Sequence, residues 1–144
     1  MDASRIALIG WSNGGSTTLW AIGDTAREGD LPFRMAIAFY PGCRPPSESK
    51  WFKPRLPLTI LMGSADDWTP VEPCRALVER GMAALIEYPG AYHAFDSPKS
   101  PLRVRKGIAY SKSGTGEVHV GHDPVAHAKA IEDVTRILAE GLKP

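Results

Sequence analysis

The residues best suited to chemistry are Ser12 and the small residues around it. Residues 10–14 read Gly-Trp-Ser-Asn-Gly, a G-x-S-x-G pattern that directly follows the apolar run at residues 5–9. Where a buried strand ends in this tight turn and a helix begins at once, the serine hydroxyl projects above the sheet edge. The helix N-terminus then offers free N–H groups to a developing anion. We predict Ser12 as a nucleophile and the backbone N–H of Asn13 as an oxyanion donor; the alternative is an ordinary glycine loop.

A serine nucleophile needs a base, and the base needs a carboxylate that holds its tautomer and orientation. Asp66 and Asp67 follow the apolar run at residues 58–62, and His93 follows the next strand-like run. All three lie just past the carboxyl end of a predicted strand, where open parallel sheets place their ligand sites. The two aspartates also stand at a helix N-cap spacing before Pro70, and either can take either role. For His93 the alternative is a partly buried loop histidine.

These loops require a scaffold of strands and helices, and the chain alternates between the two. Alternating elements predict an α/β domain over residues 1–144, with a mostly parallel sheet and helices on its faces. The predicted strands are residues 5–9, 35–40, 58–62 and 85–88, and the predicted helices are 16–27, 71–84 and 123–142. Gly10 and Gly14 are expected to let the first strand and helix approach closely. The last helix is expected to bury an apolar stripe of Val125, Ala128, Ile131, Val134, Ile137 and Leu138.

Three strings in this order, IALIGWSNGGS, GSADDWTP and YHAFD, resemble the dienelactone hydrolase family of the α/β-hydrolase superfamily. The resemblance covers nearly the whole chain and implies hydrolysis of a small-molecule ester or lactone through an acyl-enzyme. It implies Ser12 as nucleophile, His93 as base and Asp66 as acid, with Asp67 as the close alternative. The enzyme that names the family uses a cysteine nucleophile, so serine here favours simple ester hydrolysis. Acyl transfer is a third, weaker alternative.

The resemblance further implies strands before the serine turn that have no counterpart in this sequence. The expected fold is therefore a partial α/β-hydrolase fold with its N-terminal strands absent. A second oxyanion donor would then be missing, and the first strand would form an exposed apolar edge. We expect a homo-oligomer that forms through this edge. The competing function is a catalytically weak or inactive module that pairs with itself or with a partner chain.

The remaining site predictions concern two tryptophans and the choice of partners. Trp11, beside the nucleophile, and Trp68, beside the acid, are assigned to substrate binding. No cofactor is expected. A net charge of +1 favours neither nucleic acid nor a membrane surface as a partner. The chain has no apolar run of ~20 residues and no signal-peptide pattern, so a cytoplasmic location is the expectation.

The two cysteines leave an alternative open. Cys43 and Cys74 each follow the carboxyl end of a predicted strand, so they are either disulfide-bonded or two isolated small apolar residues. A disulfide would indicate an oxidising compartment.

The stretch at residues 98–122 is basic, and it is either a solvated loop or hairpin, or the source of an arginine for a substrate carboxylate. The histidines beside Asp123, namely His119, His122 and His127, resemble metal-ligand spacing. Pro124 separates the loop from the helix, so no metal site is expected.

Overall fold

Four parallel strands carry the loops that hold the candidate residues. The computed structural model describes residues 2, 5–24 and 32–143. The parallel strands, hydrogen-bonded in the order β1-β2-β3-β4, are β1 (Ala7–Trp11), β2 (Met35–Phe39), β3 (Leu58–Gly63) and β4 (Ala84–Tyr88). The helices are α1 (Asn13–Ala21), α2 (Arg44–Glu48), α3 (Glu72–Glu79) and α4 (Pro124–Gly141). A separate antiparallel hairpin consists of β5 (Arg103–Arg105) and β6 (Val118–Val120).

The two central strands form the core. Every residue of β2 is buried, and Ile60 and Leu61 of β3 are completely inaccessible to solvent. Helices cover both faces of a parallel sheet, which is why its central strands are apolar without interruption rather than alternating. The outer strands β1 and β4 are only partly buried, as their positions at the ends of the strand order require. The predicted α/β class with a mostly parallel sheet is confirmed.

The register of the sheet places all the strand ends at one edge. Trp11 of β1 pairs with Phe39 of β2, and Phe39 in turn pairs with Leu61 of β3. Gly63, the last residue of β3, pairs with Tyr88, the last residue of β4. The loops after these strands therefore emerge side by side, although they are far apart in the sequence.

The close approach of β1 and α1 depends on one of the two predicted glycines and on one that was not predicted. A Cβ atom on Gly10 would overlap the carbonyl oxygen of Gly14, so Gly10 is required as expected. Gly14 itself has open space around the position of a Cβ atom, and its predicted role was wrong. The second required glycine is Gly15, where a Cβ atom would lie 2.8 Å from the carbonyl oxygen of Phe39. Helix α1 starts at Asn13 rather than 16, and within it Gly15 faces the end of β2.

Helix α4 begins where predicted but is rotated relative to the expected stripe. Asp123 caps it by accepting hydrogen bonds from the backbone N–H groups of Val125 and Ala126. The prediction was wrong for Val125, Ala128 and Ile131, which are exposed; Val125 is 79% and Ile131 57% accessible. The inward residues are Ala126, Ala130, Asp133, Val134, Ile137 and Leu138. The backbone N–H of Asp123 donates to the carbonyl of Phe95, and this bond ties the start of the helix to the loop after β4.

The other elements differ from prediction mainly at their ends. Helix α3 stops at Glu79, five residues early, because Gly81 adopts a left-handed backbone conformation with φ of 69°. The predicted end of the first helix, at residues 25–27, lies outside the described residues. The basic stretch at 98–122 contains the β5–β6 hairpin, so the hairpin alternative holds. None of the helices in the described ranges combines the length and the hydropathy that crossing a membrane requires.

The cysteine alternative is resolved in favour of a disulfide. Cys43, at the start of α2, is bonded to Cys74 in the first turn of α3, with the Cα atoms 5.1 Å apart. Both residues are buried. The bond links the loop that leaves β2 to the loop that leaves β3, and these two loops border the candidate site.

Candidate active site

Ser12 occupies a strained position between β1 and α1. Its backbone has φ of 51° and ψ of −118°, a region that non-glycine residues adopt at a cost of about 1–3 kcal/mol. The surrounding backbone enforces this conformation: the Ser12 N–H donates to the carbonyl of Phe39 over 3.0 Å, and its carbonyl accepts from the N–H of Ser16 over 2.9 Å. The turn presents the serine side chain at the carboxyl edge of the sheet.

His93 connects Ser12 with a carboxylate. Its Nε2 lies 2.9 Å from Oγ of Ser12, and its Nδ1 lies 2.8 Å from Oδ2 of Asp66. The histidine is 3% exposed and the aspartate 2% exposed, so water does not compete strongly for these bonds. With the proton on Nδ1, the imidazole donates to Asp66 and leaves Nε2 free to accept the hydroxyl proton of Ser12.

Both oxygens of Asp66 are fully engaged. Oδ1 accepts the backbone N–H groups of Trp68 and Thr69 at 2.9 and 2.8 Å, and Oδ2 lies 2.9 Å from the Thr69 hydroxyl as well as facing His93. These bonds fix the carboxylate in one orientation. Thr69 Oγ also lies 3.1 Å from Nδ1 of His93, so this side chain adjoins both members of the pair.

Asp67 points away from this group. Its carboxylate accepts the backbone N–H of His119 at 2.8 Å and lies 2.7 Å from Nδ1 of the same histidine. The structure thus brings Asp66, not Asp67, to His93. The helix-cap alternative fails for both aspartates, because α3 begins at Glu72 with Val71 at the cap position.

The loop that carries His93 is held from two sides. On one side, a Cβ atom on Gly63 would overlap the carbonyl oxygen of Ala91, so this loop packs directly against the backbone at the end of β3. On the other side, the N–H of Gly121 donates to the His93 carbonyl over 2.9 Å. The segment after β6 therefore holds the backbone of His93, and no local sequence pattern predicted this contact.

The backbone N–H of Asn13, the predicted oxyanion donor, lies at the start of α1, and its role stays a prediction. Asn13 is the first residue of α1, and the first N–H groups of a helix have no acceptor within the helix. Its N–H directly follows the serine turn. Together with the partial positive charge of the helix end, it forms the type of site that stabilises a developing anion.

Both predicted substrate-binding tryptophans lie near the serine and histidine. Trp68 packs with its ring 4.7 Å from the His93 ring, and the guanidinium of Arg105 lies 5.1 Å from the Trp68 ring centroid. Trp11 is 47% exposed and stacks on Phe39 with ring centroids 5.2 Å apart. Contact of either tryptophan with a substrate remains a prediction.

Two polar residues near the site were not predicted as functional, although one of them, Asp96, ends the string YHAFD. Tyr40 follows β2, and its ring lies 4.5 Å from the His93 ring. Its hydroxyl donates to Asp96, and burial together with the Asp96 charge raises the pKa of Tyr40 far above its ordinary value. Tyr40 is therefore a stable proton donor, not a base. A signal existed for Asp96 only in its position three residues after His93.

The three histidines of the suspected metal spacing do not meet at one point. His119 is bound to Asp67, whereas Nε2 of His122 lies 3.0 Å from Nδ1 of His127. Among the residues that the structure describes, no group of three or more histidine, cysteine, aspartate or glutamate side chains is arranged to hold a metal ion.

Similar solved structures define the fold class. A protein of Klebsiella pneumoniae subsp. pneumoniae MGH 78578, described as a candidate dienelactone hydrolase, aligns with 96% of this chain at a TM-score of 0.65 and 16% identity. The carboxylesterase Cest-2923 from Lactobacillus plantarum WCFS1 aligns with 100% of the chain (TM-score 0.58, 14% identity), and an acylaminoacyl peptidase from Pyrococcus horikoshii aligns with 99% (TM-score 0.61, 15% identity). At these identities the likeness concerns the fold alone, and that fold is the α/β-hydrolase fold.

The family follows from the sequence match. The model of the dienelactone hydrolase family matches residues 1–142, so the chain belongs to the dienelactone hydrolase family. The chain spans 53% of the Klebsiella protein, 62% of the carboxylesterase and 24% of the peptidase. No curated protein matches it.

Proposed function

We propose that this chain is a serine hydrolase that cleaves carboxylic ester or lactone bonds through an acyl-enzyme. The observation that carries the proposal is the continuous hydrogen-bonded line from Ser12 Oγ through the His93 ring to the Asp66 carboxylate. Family membership supports hydrolysis as the reaction class. In this proposal Ser12 is the nucleophile, His93 the base and Asp66 the acid.

The proposed reaction has two halves. In the first, Ser12 Oγ attacks the carbonyl carbon while its proton moves to Nε2 of His93, and Asp66 stabilises the imidazolium that results. His93 then gives this proton to the departing alkoxide, which leaves an acyl group on Ser12. In the second half, water attacks the acyl carbon and loses a proton to His93. That proton returns to Ser12 Oγ as the carboxylic acid departs.

The N–H of Asn13 is the proposed donor to the oxyanion of both tetrahedral intermediates. Preorganised donors of this kind are worth about 10²–10³ in turnover each, so one donor supports only part of the rate that two would support. The proposed substrate is a small ester or lactone with its acyl side near Trp11 and Trp68. No residue described here requires a cofactor for these steps.

A covalent probe and a chromogenic ester test the proposal together. We expect a fluorophosphonate to label the wild-type chain and p-nitrophenyl acetate to give a burst of nitrophenol, with both signals lost in Ser12→Ala and His93→Ala. Ser113→Ala, at an exposed serine of the loop before β6, is the matched control and should behave as wild type. Equal labelling of wild type and Ser12→Ala would instead favour the competing function, an inactive module. Added alcohol that increases nitrophenol release and yields a new ester would indicate acyl transfer.

The cytoplasmic location remains a proposal, and the Cys43–Cys74 bond argues against it. Disulfides form and persist mainly in oxidising compartments. Thiol labelling under denaturing conditions, on protein trapped with acid directly from cells, distinguishes the two cases: two free thiols fit the cytoplasm, and none fits an oxidising compartment.

A further inference from the structure

Asp96 connects two aromatic side chains beside the serine and the histidine. Its Oδ2 accepts the indole N–H of Trp11 over 2.7 Å, and its Oδ1 accepts the hydroxyl of Tyr40 over 2.7 Å. Each oxygen thus takes one short hydrogen bond. Bonds of this kind to an ionised acceptor are roughly twice as strong as neutral ones.

Each of the two rings adjoins one reacting side chain. Trp11 directly precedes Ser12 and stacks on Phe39, whose carbonyl holds the Ser12 N–H. The Tyr40 ring lies 4.5 Å from that of His93. Through its hydrogen bonds to Trp11 and Tyr40, Asp96 therefore links the histidine loop to the end of β1 and the end of β2.

The backbone of Tyr40 adds a second connection to the histidine. The Tyr40 carbonyl oxygen accepts the hydroxyl of Thr69 over 3.1 Å. The same Thr69 hydroxyl also contacts Nδ1 of His93. Tyr40 also holds a left-handed backbone conformation, with φ of 35°, which a tyrosine adopts only under constraint. Tyr40 is 4% exposed, so its position depends on the groups packed around it, Asp96 among them.

We propose that Asp96 is a positioning residue that holds Trp11 and Tyr40 and thereby keeps Ser12 and His93 in reactive geometry. This inference rests on the proposed function. Asp96 touches neither Ser12 nor His93 through a hydrogen bond; it acts through the two rings. Small displacements of reacting groups are costly, with about a hundredfold loss for 1 Å.

Two substitutions separate positioning from charge. In Asp96→Asn, the amide oxygen can accept from Trp11 while the amide nitrogen donates to the Tyr40 oxygen, since a hydroxyl both donates and accepts. This variant keeps the connection without the charge. Asp96→Ala removes both bonds. Asp133→Ala is the matched control, because Asp133 likewise accepts from a tyrosine hydroxyl, that of Tyr88, over 3.3 Å, but it lies on α4, which carries neither Ser12 nor His93.

The experiment measures the fluorophosphonate labelling rate of Ser12 and the separate kcat and KM for p-nitrophenyl acetate. We expect Asp96→Ala to lower the labelling rate and kcat by about tenfold to a hundredfold with little change in KM. The labelling rate and kcat of Asp96→Asn should stay within about fivefold of the wild-type values. Asp133→Ala should have wild-type values of both at a temperature where it and the wild type are folded. In ¹H–¹⁵N spectra, the Trp11 indole signal should move upfield in Asp96→Ala only.

Each other outcome has a distinct meaning. A wild-type labelling rate in Asp96→Ala overturns the inference and leaves the proposed function intact. An equal loss in Asp96→Asn and Asp96→Ala also overturns it, because charge would then be the cause. A wild-type chain that does not label overturns the proposed function, and this inference with it. If Asp96→Ala does not fold, Tyr40→Phe decides: a severalfold slower labelling rate supports the inference, and an unchanged rate contradicts it.

Discussion

Replacing each of the two adjacent aspartates with asparagine is the most discriminating test of the site. In Asp66→Asn the side chain must choose between two unfavourable orientations. With its amide nitrogen toward His93, it faces another donor at Nδ1, and the imidazole must shift its proton to Nε2, where it can no longer accept from Ser12. With its oxygen toward His93, the amide N–H groups meet the backbone N–H groups of Trp68 and Thr69, which stay buried and unpaired.

The expected magnitude follows from these contacts. In a known Ser-His-Asp triad the corresponding change lowers kcat by about 10⁴, which equals about 5.4 kcal/mol at 1.36 kcal/mol per decade. Asp67 is different because its side chain is 25% exposed and, among the described residues, its carboxylate is hydrogen-bonded to His119 alone. In Asp67→Asn the amide oxygen can still accept the His119 backbone N–H, so at most about one hydrogen bond of 0.5–1.5 kcal/mol is lost. We therefore expect less than about a tenfold change in kcat/KM.

The assay compares kcat/KM for p-nitrophenyl acetate and the rate of fluorophosphonate labelling in wild type and both variants. Thermal unfolding of all three proteins, measured by circular dichroism, verifies that losses of activity do not arise from unfolding. A loss in Asp67→Asn that equals or exceeds that in Asp66→Asn would refute the assignment of the acid.

The remaining predictions concern stability and assembly. Gly10→Ala should unfold the chain or strongly lower its thermal midpoint, because the added Cβ atom would overlap the backbone of Gly14. Gly14→Ala should be tolerated, because the space around its Cβ position is open, and thermal unfolding of both variants tests the difference. Replacing Cys43 and Cys74, which are separated by 31 residues, with serine should lower the free energy of unfolding by about 3–4 kcal/mol in urea titrations, and an unchanged value would contradict the loop-closure argument. Burial opposes ionisation of Asp133, but the bonds from Lys129, Tyr88 and Arg136 outweigh burial and lower the pKa of this carboxyl. The ionised Asp133 therefore stabilises the fold above the ordinary carboxyl pKa of 3.8, and this stabilisation disappears as the pH falls below that value. Asp133→Asn should therefore lower the unfolding midpoint at pH 7 more than at pH 3; an equal loss at both would exclude the ionised form as the cause. Finally, β1 lies at the end of the strand order, and the exposed Ile131 lines the same open surface cavity as Ile9 of β1. We propose that two copies associate through this edge, and light scattering that finds only monomer at high concentration would rule this out.

The amino-acid sequence determined the features that depend on neighbouring residues. Apolar runs predicted each of the four parallel strands to within a few residues. The central β2 and β3 are almost entirely apolar because both of their faces are covered. The turn around Ser12 was identifiable because its glycines, strand and helix follow one another directly. The start of α4 was identifiable because aspartate followed by proline, here residues 123 and 124, is typical of the beginning of a helix.

The tertiary structure decided which side chains meet. The family resemblance favoured Asp66 but left Asp67 as the close alternative. The turn after β3, fixed by two backbone N–H groups on one carboxylate, directs Asp66 toward His93. The disulfide depended on the adjacency of β2 and β3, which sets the distance between two loops.

The rotation of α4 and the place of Asp96 likewise depended on contacts between distant segments. Asp123 bonds to Phe95, and Asp96 collects donors from the ends of two different strands. Local patterns specify the period of an element and the chemistry of a turn. The meeting of side chains depends on strand register and on packing between segments far apart in the chain, and the sequence states neither directly.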